Sequence, residues 1–176
     1  VLTARHIPFV ALDASSEHVD FVRRFGNKVF YGDASRLELL EAAGTAKARL
    51  FVLAIDDVEK SVDIARTLQK HFPHVTIVAR ARNRQHAYEL LALGVTHLMR
   101  ETFSSSLEMT GDVLSLLGMP SSEVARTLAT FRSHDEQLLM DSFQHRGDVS
   151  TLQERAKQAR ADLEKLFEAD AQQPPA

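Results

Sequence analysis

Two turns carry the residues with the most chemical potential. Asp13 closes the apolar run IPFVAL, residues 7–12, and Gly32-Asp33 follow the β-forming run Lys28–Tyr31 in the stretch KVFYGDASR. In an open α/β sheet, ligands bind at the carboxyl ends of the strands. A carboxylate there can accept both hydroxyls of a ribose, and a neighbouring turn can meet the edge of an adenine. Gly32 is expected to take a backbone conformation closed to other residues. The same pattern has a second reading, because Asp or Ser after a strand also serves as a helix N-cap. It recurs where LFVLAI, residues 50–55, runs into Asp56 and Asp57. Arg80, Arg82 and Arg84 cluster after a further strand, suited to phosphate, to an acidic partner surface or to a solvated loop. Eight histidines invite a metal, but His71 and His74 are split by Pro73 and neither is four residues from another histidine, so no metal site is expected.

The elements that position these turns alternate. Residues 7–12 form the first expected strand, and Ser15, Ser16 and Glu17 start a short helix carrying Val19, Val22 and Phe25, with Phe21 beside them, stopped by Gly26. After Asp33 a helix with Leu37, Leu40 and Ala43 on one face ends near Gly44. The run 50–55 is continuously apolar, as a strand covered by helices on both faces must be. Val62, Ala65, Leu68 and Phe72 then keep helical spacing up to Pro73. A strand at 75–79, a helix with Ala87, Leu90 and Leu91 inward, a strand at 95–99 and a helix from Thr102 complete the alternation. Strands alternating with helices of this length imply parallel strands and right-handed crossovers. The expected fold class is therefore α/β: residues 1–119 a partial nucleotide-binding domain, and residues 120–176 a helical extension with a frayed C-terminal tail. In the extension, helices at 121–145 and 148–169 are separated by Arg146 and Gly147. Leu152, Ala156, Ala159, Leu163 and Leu166 line one face of the second, a face for its own domain or for a partner helix.

Composition excludes several classes. The chain has 176 residues, 44% hydrophobic and 26% charged, with a formal net charge of −3, so no electrostatic reason exists to expect nucleic acid as a partner. It has no cysteine, hence no disulfide, thiolate metal site or cysteine nucleophile. A dinucleotide-binding unit usually opens with a strand and a G-x-G-x-x-G turn about 20 residues before the ribose acid. That turn would fall just before Val1, and the expectation is a Rossmann-like sheet whose first strand and glycine-rich loop have been cut off.

The blocks FGNKVFYGDASRLELLEAAG, AIDD, HFPHVTIVARAR and GVTHLMRETFSSSLEMTGDVLSLLGM resemble the regulatory nucleotide-binding domain, called KTN or RCK, of the Kef-type glutathione-gated potassium efflux antiporters. The resemblance covers roughly residues 1–145. It implies a domain on the cytoplasmic side of the bacterial inner membrane, attached to the antiporter domain of the same polypeptide. It further implies a homodimer that binds an adenine nucleotide, AMP or NAD(H), with an ancillary flavoprotein as a further partner. Glutathione would inhibit it and glutathione S-conjugates activate it. By the same resemblance Asp13 is the ribose-binding acid, and Gly32, Asp33 and Ala34 form the adenine-side turn. Phe25 is the interface aromatic that an S-conjugate displaces, and Arg100 contacts glutathione. Asp135 stands where one branch of the family has a glutathione-contacting asparagine, and an acid there can instead hold the ligand's α-ammonium. Read without the resemblance, Phe25 is a core or helix-end aromatic, Arg100 a surface or helix-terminal arginine and Asp135 a solvated charge.

Three functions follow. The first is a ligand-sensing regulatory domain of a potassium/proton antiporter, working by differential affinity for two states and not as an enzyme. The second is a nucleotide-binding subunit of a Trk-type potassium uptake system. The third is a fragment of an NAD-dependent dehydrogenase, disfavoured because the residues after Met99 offer no acid/base constellation.

Overall fold

The computed structural model describes residues 1–26, 28–144 and 149–171, and within the last helix only part of the side chains. By its internal contacts the chain divides into two compact units. One comprises Val1–Ala81 with Ala92–Met99, and the other Arg82–Leu91 with Arg100–Ala176.

The first unit carries the parallel strands. β1 (Leu12–Asp13) pairs in parallel with β2 (Phe30–Tyr31), Leu12 opposite Phe30 and Asp13 opposite Tyr31. Between them lies α1 (Ser16–Arg23), whose first turn is capped by the Ser15 hydroxyl, which accepts the N–H of His18 at 3.2 Å. Gly26, with φ 79°, ends this segment as expected. The expected strand 7–12 is shorter than its composition implied. Only its last residue joins the ladder, and Ile7, Phe9 and Val10 stand about half exposed. Apolar β-formers specify a strand only where a neighbour takes up their backbone groups, and here that begins at Ala11, whose carbonyl accepts the N–H of Phe30. The start of the chain is a short 3-10 turn, Thr3–Arg5.

β3 (Leu50–Leu53) and β4 (Thr76–Ala81) pair in parallel from Leu50 opposite Thr76 to Leu53 opposite Ala79, and β5 (His97–Arg100) lies beside β4. α2 (Leu37–Ala42) buries Leu40 completely. α3 (Val58–His71) links β3 to β4 and buries Val62, Ala65 and Leu68, which its spacing predicted, together with Ile64, which it did not; Phe72, also predicted, is buried just beyond its end. Of these, Val62, Ile64 and Leu68 each contribute about 1.5–3 kcal/mol when fully withdrawn from water. One expectation fails in β3. Its continuous apolarity predicted cover on both faces, yet Leu50 and Val52 are 59% and 66% exposed while Leu53 is buried. β3 is the edge strand of its ladder, and only the face of Leu53 is packed.

The second unit is helical. It contains most of α4 (Arg84–Ala92), then α5 (Phe103–Leu116), α6 (Ser121–Gln144) and α7 (Val149–Ala171). α5 and α6 approach closely at Gly111, where an added Cβ would lie 2.9 Å from Leu128 Cδ1 and 3.6 Å from Val124 Cγ1. Tyr88 and Phe143 meet with ring centroids 6.3 Å apart. On α7, Ala159 is buried and Leu166 is 44% exposed. The separator Arg146-Gly147 and the end of the tail lie outside the described residues. Among the described residues no helix is long and apolar enough to cross a membrane.

Candidate ligand-binding sites

In the first unit the two acidic turns are physically joined. Because β1 and β2 run parallel and in register, their carboxyl ends coincide, and the N–H of Gly32 donates to the carbonyl of Asp13 at 2.9 Å. The Asp13 carboxylate accepts the N–H of Ser15 at Oδ1 (2.8 Å) and meets His18 Nδ1 at Oδ2 (2.5 Å). An ionised carboxylate offers about four acceptor positions, so two remain for hydroxyl donors. At 30% exposure the group is within reach of a ligand. The residues present therefore fit a ribose.

Asp33 sits one residue beyond Gly32 and is not the cap of α2, whose N-cap is Arg36 without a side-chain bond. Its Oδ1 instead accepts the N–H of Ser35 at 2.9 Å, closing a local turn. That backbone donor, followed by the Ser35 hydroxyl, holds the Asp33 carboxyl below its ordinary value; burial opposes the shift, while Lys60 and Arg36 add to it. A carboxylate so stabilised is fully ionised at neutral pH. Gly32 has no positive φ, which corrects the expectation of a special backbone conformation. Its requirement is space, since a Cβ would lie 3.3 Å from Leu39 Cδ1 and 3.7 Å from Leu12 Cδ2. Ala34 follows in the same turn and is partly exposed.

Phe25 lies beyond the end of α1, 70% exposed, with its ring edge-on to Phe21 at 5.1 Å. It is not the inward residue that the spacing of Val19, Val22 and Phe25 implied; of these only Val19 is fully buried. The arginines in and after β4 fall in both units. Arg80 donates to the Ala54 carbonyl at 3.1 Å and to Asp56 at 2.5 Å, fixing the end of β3 against β4, whereas Arg84 belongs to the second unit.

In the second unit Arg100 and Asp135 are brought together, with a third residue that the sequence did not single out for this role. Asp135 Oδ2 accepts from Arg100 and its Oδ1 from Arg84. Asp135 and Arg100 are only 13% and 12% exposed, so neither is the solvated charge that an isolated reading would make it. Arg84 is 36% exposed. The Arg100 guanidinium also lies 3.9 Å from the centroid of Phe103, which stacks on Phe131 at 6.3 Å, and Arg132 lies 5.8 Å from the same ring. A guanidinium bound at its edge by a carboxylate and on its face by an aromatic ring is held in orientation. As placed, Asp135 accepts from two arginines.

Arg84 is itself positioned by the start of α4. Asn83 Oδ1 accepts the N–H of His86 at 2.9 Å, and His86 Nδ1 accepts the N–H of Arg82 at 3.1 Å, a reciprocal arrangement close to a capping box. His86 is 1% exposed and its Nε2 has no partner; burial pulls its basicity down. No local signal in the sequence marks the link between Arg84 and Asp135, which are 51 residues apart. Among the described residues no group of three or more His, Asp or Glu side chains is arranged to hold a metal.

Comparison with known proteins matches two successive segments of the chain. Residues 1–101 match the TrkA-N domain, and residues 105–175 match the potassium efflux system KefB C-terminal domain. The AMP-bound form of the Kef C-terminal domain from Shewanella denitrificans is 37% identical, with a TM-score of 0.67 over 78% of this chain and 98% of that one. The TrkA-N domain of the inner membrane protein ybaL from Escherichia coli is 24% identical, with a TM-score of 0.54 over 66% of this chain and 83% of that one, and shares the fold. The GsuK RCK domain shares it at 24% identity and a TM-score of 0.50, over 56% of this chain and 21% of that one.

Proposed function

The chain belongs to the TrkA-N domain family and to the C-terminal domains of Kef potassium efflux systems, and from that membership we propose that it is the ligand-sensing regulatory domain of a potassium/proton antiporter. The domain binds an adenine nucleotide, AMP or NAD(H), and uses it as a structural ligand rather than as a reactant. One observation carries this reading: the backbone bond from Gly32 to Asp13, which sets two acidic turns side by side at the carboxyl ends of adjacent parallel strands. Asp13 has acceptor capacity left for ribose hydroxyls, and Gly32, Asp33 and Ala34 offer a turn for the adenine edge. The AMP bound by the Shewanella relative supports the choice of ligand.

Glutathione and its S-conjugates are the proposed regulators. Arg100 is the carboxylate-binding group, since a guanidinium donates two parallel hydrogen bonds, and Phe25 is the aromatic that an S-substituent displaces. Its 70% exposure supports an interface role over a core role. The domain acts as a homodimer joined to a membrane antiporter domain on the cytoplasmic face of the bacterial inner membrane, with an ancillary flavoprotein as a further partner. An apolar stripe on α5 supports the dimer: Met109, Val113 and Leu116 recur at helical spacing and are 69%, 48% and 88% exposed, with Leu117 at 80%. Gating follows if the two ligand states favour different dimer arrangements. No catalytic step is proposed. Within the domain, residues 1–119 provide nucleotide binding and residues 120–176 the helical extension.

Calorimetric titration with AMP tests the nucleotide reading, and potassium efflux from cells carrying the antiporter, with and without an S-conjugate, tests the regulatory one. Absence of AMP binding at millimolar concentration would overturn the first. Efflux indifferent to S-conjugates would overturn the second.

A further inference from the structure

We propose that Asp135 is a tethered competitor for the anion site made by Arg84 and Arg100, so that a free anion bridges the two guanidiniums only by displacing it. The inference deepens the glutathione reading and rests on it for the identity of the natural ligand, but its geometry stands apart. Two arginines from different elements, the first residue of α4 and the last of β5, converge on one carboxylate from the middle of α6. Each carboxylate oxygen serves a different arginine. Both members of the inner pair are close to nine-tenths buried, while Arg84 keeps an open side.

Counting formal charges, Arg84 and Arg100 bring two positives and Asp135 one negative, so the cluster keeps an excess of one. Arg132, beside the same Phe103 ring, adds a further positive charge. The surroundings thus favour an anion, and the residue already in the anion's place is part of the chain. A group held by its own helix competes at an effective concentration of at least about millimolar, and a pre-organised one at far more. A free monocarboxylate meeting the guanidiniums one at a time cannot match that. A ligand with two carboxylates can bind the open side of Arg84, or Arg132, while it displaces Asp135. The acid at position 135 therefore sets a threshold: it selects multivalent anions and lowers the affinity for all of them.

Replacing the acid by its neutral isostere separates these effects. Wild-type chain and Asp135→Asn are compared by thermal melting and calorimetry, with sodium sulfate as the probe against sodium chloride at equal ionic strength, and then with glutathione. The expected result is that D135N binds sulfate at least about tenfold more tightly than the wild type and gains thermal stability from it, because a mobile anion replaces the lost carboxylate. Asp135→Glu, which keeps a tethered acid, should stay as insensitive as the wild type. Equal sulfate responses in wild type and D135N, or a D135E response matching D135N, would overturn the proposal. If D135N folds only when refolded in sulfate, that dependence supports it; failure to fold in sulfate counts against it. Sulfate binding by D135N without glutathione binding would leave the competitor in place and refute glutathione as the ligand.

Discussion

The N–H of Gly32 donates to the carbonyl oxygen of Asp13 across 2.9 Å, and this one bond fixes the spacing of two turns that leave neighbouring strands on the same side. It leaves the Asp13 side chain to Ser15, His18 and any incoming hydroxyl.

Asp13→Ala should therefore weaken AMP binding by about ten- to a hundredfold, the loss expected for hydrogen bonds to a charged group worth about 1.5–3 kcal/mol. Calorimetry measures it, and unchanged affinity would remove Asp13 from the site. Because the backbone bond to Gly32 survives the substitution, the fold should persist.

His86 makes stability depend on pH. Burial sets its folded value below 6.5, so the unfolded chain takes up a proton first as the solution is acidified. Its contribution is complete above pH 6.5 and is lost as pH falls from there through the folded value. Protonation also removes the acceptor for the Arg82 N–H. Urea unfolding between neutral and mildly acidic pH should show stability falling in the wild type. His86→Gln, whose amide oxygen can still accept that N–H, should flatten the profile. Parallel profiles would show that the histidine contributes nothing to it.

Phe25→Ala should leave stability within about 0.5 kcal/mol, as for an exposed side chain. In the intact antiporter it should abolish activation by S-conjugates while basal efflux continues. Efflux assays that find activation unaltered would return Phe25 to an ordinary surface residue.

Gly111 separates two effects of opposite sign. Alanine there gains about 1 kcal/mol of helix propensity, and its Cβ crowds only the end of the Leu128 side chain, which can turn away, so G111A should be nearly neutral. Gly111→Leu cannot be accommodated in the same way and should cost about 1–3 kcal/mol by overpacking. Thermal melts of the two variants decide it.

The apolar stripe on α5 gives a test of assembly. Leu116→Asp with Leu117→Asp should shift a dimer to monomer in sedimentation without lowering the melting temperature of the monomer, since both side chains are at least 80% exposed. An unchanged sedimentation profile would move the interface elsewhere.

Much of the architecture was legible because local rules and tertiary packing agree. In α3, the spacing of Val62, Ala65 and Leu68, the capping Asp57 and the terminating Pro73 all point to the element observed. β3 misled because a run of Leu, Phe, Val and Leu reports affinity for a strand but not how many of its faces find cover. Gly32 misled because a glycine required for space and one required for backbone freedom look alike until the neighbour, Leu39, is known. Of the arginines, Arg100 is singled out only through the resemblance of its block to a known family, and its companion Arg84 is not singled out for this role at all. A contact spanning 51 residues is created by the fold and has no periodicity to betray it.

The Arg84–Asp135–Arg100 cluster draws its members from both of the matched segments. Both arginines lie in residues 1–101, while the carboxylate lies in 105–175. Recombination between related genes at the natural seam would hand a recipient two guanidiniums with no counter-charge, or an acid with nothing to hold. An exchange at this seam would therefore keep the cluster's charges balanced only if both segments came from the same chain.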